Sequence, residues 1–395
     1  MNGRGRVDIA IVGGGLSGGL IALALRQQRP ELSVALIEAG AEPGGNHRWS
    51  WFASDLPPGG EALMAPLRKT SWDLGYEVRF PGHRRLLSSP YRSLSSTDLA
   101  AALRRELPEG AIRVNAQAER LHAGGVVLED GEEIAARTVI DCRGAQPSEH
   151  LSGGWQVFLG RHMRTDRPHG LTRPVIMDAC VEQLGGYRFV YVLPLAADEL
   201  FIEDTYYADQ PVLDRRVLAA RIEAYCGNQG WQGEVIGNET GMLPVITGGQ
   251  LAAYQAQIRI PGVALAGARA LFVHPLTSYS LPQAVEIALA IAADADLPGA
   301  QLAALLEARA AAHWHKTGFY RLLGRMLLTA ARPKQRFRVF KRFYHLPEPL
   351  IERFYAARST MRDKLRILSG RPPVPVMAAL RALLAPGAPM AQSRQ

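Results

Sequence analysis

Residues 7–25 read VDIAIVGGGLSGGLIALAL, and residues 33–38 read SVALIE. A short apolar run, a glycine cluster, an apolar helical pattern from Leu20 to Leu25 and a second apolar run together describe strand, turn, helix and strand. The turn, Gly13-Gly14-Gly15-Leu16-Ser17-Gly18, has the spacing G-x-G-x-x-G, and Glu38 follows 20 residues after its last glycine. Gly13 permits a tight turn, Gly15 lets the backbone approach a pyrophosphate, and Gly18 lets the helix pack closely on its strand. The helix N-terminus offers N–H donors to phosphate, and Glu38 would accept from ribose hydroxyls. A glycine-rich turn without a ligand is the alternative reading of the glycines alone.

Working outward, residues 44–52 (GGNHRWSWF) read as a loop rich in glycine and aromatic groups. Such a loop either runs beside a bound flavin, with Gly45 against it, or covers core with its two tryptophans. His47 has no partner at metal-ligand spacing and reads as a packed or surface histidine. A helix is expected over 97–104, a hairpin turn at Asp130-Gly131, and a core strand running into a glycine turn over 138–145. Residues 150–250 change to aromatic and β-branched runs separated by turn residues, the pattern of antiparallel sheet. Residues 187–193 and 200–206 form an expected hairpin. On its second strand Phe201, Glu203 and Thr205 share one face, while Ile202 and Asp204 share the other. An acid on the apolar side of a sheet is costly unless paired or protonated, and burial raises its pKa. Glu203 is therefore a candidate general acid, or else half of a structural salt bridge. Residues 261–267 return to a strand ending at Gly267. The loop through residues 271–282 then leads to a helix from about 283 to 293, a strand–loop–helix contact suited to phosphate or flavin.

The chain has 395 residues and a formal charge of +8. Residues 313–372 hold 15 Lys/Arg against Glu348, Glu352 and Asp363, a local +12 that leaves −4 elsewhere. The protein thus reads as a mildly acidic body with one basic helical segment. There Phe337, Phe340, Phe343 and Tyr344 are spaced for one helix face. The segment is a dock for an anionic membrane, a solvated helical cap, or a nucleic-acid surface. Cys142, Cys180 and Cys226 lack C-x-x-C spacing, which excludes a zinc ribbon or disulfide framework by pattern and suits a reducing compartment. No metal site is expected. No apolar run approaches the roughly 18 residues of a membrane span, and no signal peptide is recognisable. The tail after Arg371 is expected to be poorly ordered.

Val12-Gly-Gly-Gly-Leu-Ser-Gly-Gly-Leu, Gly44-Gly-Asn-His-Arg-Trp-Ser, Phe201-Ile-Glu-Asp-Thr-Tyr-Tyr and His274-Pro-Leu-Thr-Ser-Tyr-Ser-Leu-Pro occur in this order. Over about residues 7–290 the chain resembles the bacterial-type lycopene β-cyclases, FAD-dependent carotenoid cyclases. The family usually has glycine where this chain has Ser278. Ala268 stands where flavin hydroxylases commonly place an aspartate. The resemblance implies an α/β, Rossmann-like two-dinucleotide-binding flavoprotein fold with an antiparallel-sheet substrate domain and a helical, basic C-terminal region. The expected parts are a FAD-binding domain over 1–150 and 256–298, a substrate domain over 151–255, and a membrane-docking region over 299–395.

By the same resemblance, FAD lies against Gly13, Gly15, Gly18, Glu38, Gly45, Gly267 and Tyr279, works reduced, and receives its electrons from NAD(P)H. Glu203 is the implied acid that closes the ends of lycopene, and of other acyclic-ended carotenoids, into β-rings. Asp204 orients the hairpin or a neighbouring donor. Trp49, Trp51, Phe189 and Tyr191 are candidates to face the cation. The implied location is cytoplasmic, peripheral on the inner face of the cell membrane, with no nucleic-acid partner. The competing expectation is a FAD-dependent monooxygenase or a polyprenyl or carotenoid reductase acting on a membrane-dissolved isoprenoid.

Overall fold

The computed structural model describes residues 6–370, Met377 and residues 387–390. Most of the tail after Arg371 lies outside the described residues. The opening motif forms strand Val7–Val12, helix Leu16–Gln28 and strand Val34–Ile37. Val7–Val12 lies between Val34–Ile37 and the end of Glu133–Asp141, parallel to both. Ile112–Arg113 and Val263–Leu265 extend this parallel core on its two sides. Such strands are covered on both faces and read as continuous apolar runs, which is why residues 7–12 show no alternation. Helices Leu16–Gln28 and Leu281–Ala293 pack together, and their apolar residues share one core cluster with Ile9, Ile11 and Ile140. The Asp130-Gly131 turn closes an antiparallel addition, with Gly131 at φ 83°.

A second, larger sheet is mostly antiparallel. It runs in the order Gly233–Gly249, Ser148–Thr165, Glu199–Ala208, Tyr187–Ala196, Val175–Asp178, Tyr76–Phe80, His83–Leu87. The expected boundary at residue 150 does not follow the sheets, because two strands from the first 150 residues form this sheet's far edge. Their pairing is set by tertiary contact: Tyr76–Phe80 runs parallel to Val175–Asp178, about 100 residues away. The stretch 44–52, read above as a loop, is a strand from Arg48 to Phe52. It pairs with Tyr91–Ser95 in a three-stranded sheet.

Helices Gly299–Lys316, Gly318–Arg325, Phe337–Phe343, Glu348–Tyr355 and Met361–Leu368 follow, and the short strand Pro389–Met390 pairs with Ser148–Thr165. The aromatic face of residues 337–344 is turned inward. Phe340 stacks on Tyr187 with centroids 4.2 Å apart and rings 11° from parallel, and Tyr344 donates to or accepts from Tyr355 at 2.6 Å. Phe337 and Phe343 pack half-buried on the same cluster. Helical spacing identified a common face but could not say what covers it. Tyr187, Tyr207 and Phe80 of the large sheet pack on Phe340 and Tyr344, while Phe354 and Tyr355 of the following helix pack on Phe343. Among the described residues no helix is long and apolar enough to cross a bilayer.

Candidate active site

The hairpin Tyr187–Ala196/Glu199–Ala208 sets the site. In its antiparallel register Tyr191 lies opposite Glu203, and Phe189 opposite Thr205. Directly paired residues share a face of the sheet, so Phe189, Tyr191, Phe201, Glu203 and Thr205 all point the same way. That face walls a cavity of about 200 Å³, also lined by Arg48, Trp49, Ser50, Phe158, Glu239 and residues 277–281. Trp49, Phe189 and Tyr191 therefore meet the cavity. Trp51 does not: it is 1% exposed in the core beside the first helix.

Glu203 has its carboxyl at the cavity wall, where the Thr205 hydroxyl donates to Oε1. Burial pushes this carboxyl up to about 8, the negative charge of Glu239 adds to the rise, and the Thr205 bond opposes it. Asp204, next in sequence, faces the opposite side. There it is buried and takes the Arg188 guanidinium through both Nε and Nη2, with Nε to Oδ1 at 2.9 Å. The alternation thus separates two adjacent acids, one paired with a cation and one with no cation at hydrogen-bond distance among the described residues. Opposite Glu203, Tyr279 bonds Tyr91 at 2.7 Å, Tyr91 bonds Tyr191 at 3.1 Å, and Tyr191 donates to Ser50 at 2.8 Å. Burial raises the hydroxyl pKa of all three tyrosines, which keeps the chain neutral.

The loop through 274–280 closes the cavity. His274 is buried, and burial lowers its pKa to about 3. The neutral ring donates from Nε2 to Phe354 carbonyl at 3.2 Å and accepts Thr277 N–H at Nδ1, 3.2 Å. Ser278 adopts φ 58°, the left-handed conformation that glycine takes most readily. Its hydroxyl donates to Pro244 carbonyl at 2.9 Å, which offsets part of the cost of that angle.

The glycines expected to hold a dinucleotide surround the start of helix Leu16–Gln28. Gly13 has φ 101°, and a Cβ there would lie 2.8 Å from Cys142 carbonyl oxygen; at Gly18 it would lie 2.0 Å from Gly13 carbonyl oxygen. These two are demanded by the fold. Gly15 is different: nothing lies within 4 Å of its Cβ position, which leaves the open approach that a pyrophosphate needs. Glu38 receives Gly14 N–H at 2.7 Å on one oxygen and Gly40 N–H at 2.7 Å on the other. Gly44 donates to Gly14 carbonyl at 2.9 Å, which brings Gly45 (φ 64°) beside the same turn. A Cβ on Gly267 would meet Ser17 Oγ at 2.4 Å. Gly13, Gly15, Gly18, Glu38, Gly45 and Gly267 therefore converge on one helix start, whereas Tyr279 lies in the cavity with Glu203. In the cavity wall Gln156 Oε1 and Thr277 Oγ1 are buried polar atoms without partners among the described residues, a fit for a polar ring system bound there. Among the described residues no cluster of three or more His, Cys, Asp or Glu could hold a metal ion.

One residue near Glu203, Glu239, carries no signal in the sequence. Glu239 is 6% exposed, accepts Arg48 N–H at 3.1 Å, and faces the half-exposed His47, with Nδ1 3.5 Å from Oε1. The alternation of residues 233–249 is too weak to mark an inward acid, and no local spacing links residue 239 to residue 47. His47, expected as a packed or surface group, is exposed and also borders the cavity.

The family model described as lycopene cyclase protein matches residues 8–381. A lycopene β-cyclase of Pseudescherichia vulneris is 48% identical over 95% of this chain and 97% of its own. One from Pantoea ananas is 44% identical over 95% and 98%. A geranylgeranyl bacteriochlorophyll reductase-like protein from Thermoplasma acidophilum has the same fold at 13% identity, with a TM-score of 0.58 over 96% of each chain. 2-Methyl-3-hydroxypyridine-5-carboxylic acid oxygenase has it at 17% identity, with a TM-score of 0.56 over 93% of this chain and 99% of the other. The chain belongs to the lycopene cyclase family.

Proposed function

We propose that this protein is a lycopene β-cyclase, which folds the ψ-ends of lycopene into β-rings, giving γ-carotene and then β-carotene without net redox change. One observation carries the reading: a carboxyl, Glu203, that keeps its proton near neutral pH stands at the wall of an aromatic-lined cavity. A neutral carboxylic acid in such a site is a strong proton donor. Glu203 protonates the terminal double bond, and the neighbouring double bond attacks the resulting tertiary cation. Loss of a ring proton then leaves the β-end. The π-faces of Trp49, Phe189 and Tyr191 stabilise positive charge, and the enclosed walls keep out water that would quench it.

Gly13, Gly15, Gly18, Glu38, Gly45 and Gly267 would hold FAD in a Rossmann-like two-dinucleotide-binding domain, and Tyr279 lines the cavity that Glu203 shares. Bound FAD, reduced at the expense of NAD(P)H, supplies negative charge near the cation.

The substrate dissolves in lipid, and the helix Met361–Leu368 suits a dock on an anionic membrane. Asp363 on its inner side pairs with Arg353 at 2.7 Å. On the outside Met361, Leu365 and Leu368 are 68%, 65% and 46% exposed, beside the exposed Arg362 and Arg366. Apolar groups flanked by cations match a bilayer interface.

Anaerobic incubation with lycopene and chemically reduced FAD tests the activity. The expected product has unchanged mass and carries β-rings. Reaction only in oxygen with added mass would mean a monooxygenase, and a gain of two hydrogens would mean a reductase.

A further inference from the structure

Gly160 pairs with Glu203 on one side and with Glu239 on the other. The three residues, with Tyr191 beyond Glu203, form one row across four strands, all on the cavity face. Because Gly160 has no side chain, nothing from the middle strand rises between the two acids. The Phe201 ring fills that place and floors it: a Cβ on Gly160 would lie 2.3 Å from its Cζ. The Cα atoms of Glu203 and Glu239 stand two strand spacings apart, about 10 Å. Two carboxyls therefore flank the Phe201 ring, over whose face the Arg48 guanidinium stands 5.6 Å from the centroid.

The reaction needs two proton transfers at different carbons. One proton is added at the chain end, and another is removed from the ring carbon that joins the polyene. A single fixed carboxyl would have to reach both. Resting on the reading of Glu203 as the acid, we propose that Glu239 is the base: it takes the ring proton as the β double bond forms. The electron pair of that C–H bond becomes the new double bond and discharges the cation. Glu203 ends as carboxylate and Glu239 as carboxylic acid, so the pair's proton count is unchanged. The pair is reset when one proton returns from Glu239 to Glu203 through cavity water after the product leaves. Arg48 N–H and the His47 ring hold Glu239 in place from the far side.

Glu239→Gln tests this, since the amide oxygen still accepts from Arg48 N–H while the base and its charge are removed. The expected result is retained FAD binding and melting temperature, at least a ~100-fold slower formation of β-rings, and residual product whose ring double bond is misplaced or exocyclic. The alkaline limb of the rate should also move below its wild-type midpoint. Wild-type rate with β-rings only would overturn the proposal. So would a slower rate with the ring type and alkaline limb unmoved, since that outcome assigns Glu239 to loop positioning. If Glu239→Gln does not fold, Glu239→Asp decides: slowed formation with some misplaced double bonds supports the base, and unaltered kinetics and products overturn it. Glu203→Gln run in parallel separates the two readings. An inactive Glu203→Gln beside an unaffected Glu239→Gln removes this proposal alone, and an active Glu203→Gln removes the acid assignment beneath it.

Discussion

Glu203 and Asp204 are chemically similar neighbours with opposite fates, decided by which side of one strand each faces. Asp204 meets a guanidinium, while Glu203 meets aromatic rings and another acid. Asp55, which the proposed chemistry does not use, is also buried and pushed up to about 7. For a carboxyl whose folded-state pKa is raised, the folded protein holds a proton that the unfolded chain would release. Its contribution to stability is whole below the ordinary carboxylate range and is lost as pH rises, here through about 7 for Asp55 and about 8 for Glu203. The melting temperature of the wild type should therefore fall between about pH 5 and about pH 9, and that of Glu203→Gln should fall less. Cyclisation should decline on the alkaline side with a midpoint near about 8, the value for Glu203. Glu203→Gln should bind FAD and lose at least ~100-fold in rate, and a near-normal yield of β-carotene would remove Glu203 from the acid role. Residues 199–208 made this acid visible in advance, because alternation is a local property. Glu239 was invisible, since its place depends on register with a strand about 80 residues earlier.

Among the elements, the first strand–turn–helix unit was the most legible, because each glycine has a separate mechanical reason. The structure distinguishes those reasons. Gly18→Ala puts a methyl group 2.0 Å from a backbone oxygen, so it should destabilise the fold by roughly 1–3 kcal/mol. Gly15→Ala meets nothing, so the apo protein should melt as the wild type does while FAD affinity falls at least ~10-fold. Thermal melts with and without FAD check both, and equal loss of apo stability would mean that Gly15 is only a packing glycine. The stretch 44–52 was misread because glycine and polar residues dominate its start. Its pairing with Tyr91–Ser95 is what makes residues 48–52 a strand.

At the scale of the molecule, charge and aromatic spacing located the basic helices but not their orientation. Phe340 and Tyr344 proved to be core, and within the basic segment Met361, Leu365 and Leu368 on the helix Met361–Leu368 are exposed. Flotation with vesicles containing phosphatidylglycerol should recover the protein, whereas phosphatidylcholine vesicles should recover less. Leu365→Glu with Leu368→Glu should reduce recovery several-fold without changing the melting temperature. Binding unaffected by both changes would place the dock elsewhere.

Local pattern alone determined the dinucleotide-type glycine turn, the 187–206 hairpin and the side of it on which Glu203 lies, since each depends on short-range spacing, and the order of four such local motifs pointed to the family. Tertiary structure alone decided that Glu239 stands across Gly160 from Glu203, that His47 lines their cavity, and that the Phe340 face is closed. These are contacts between segments far apart in the chain, set by strand register and by what covers an apolar face, and periodicity carries neither.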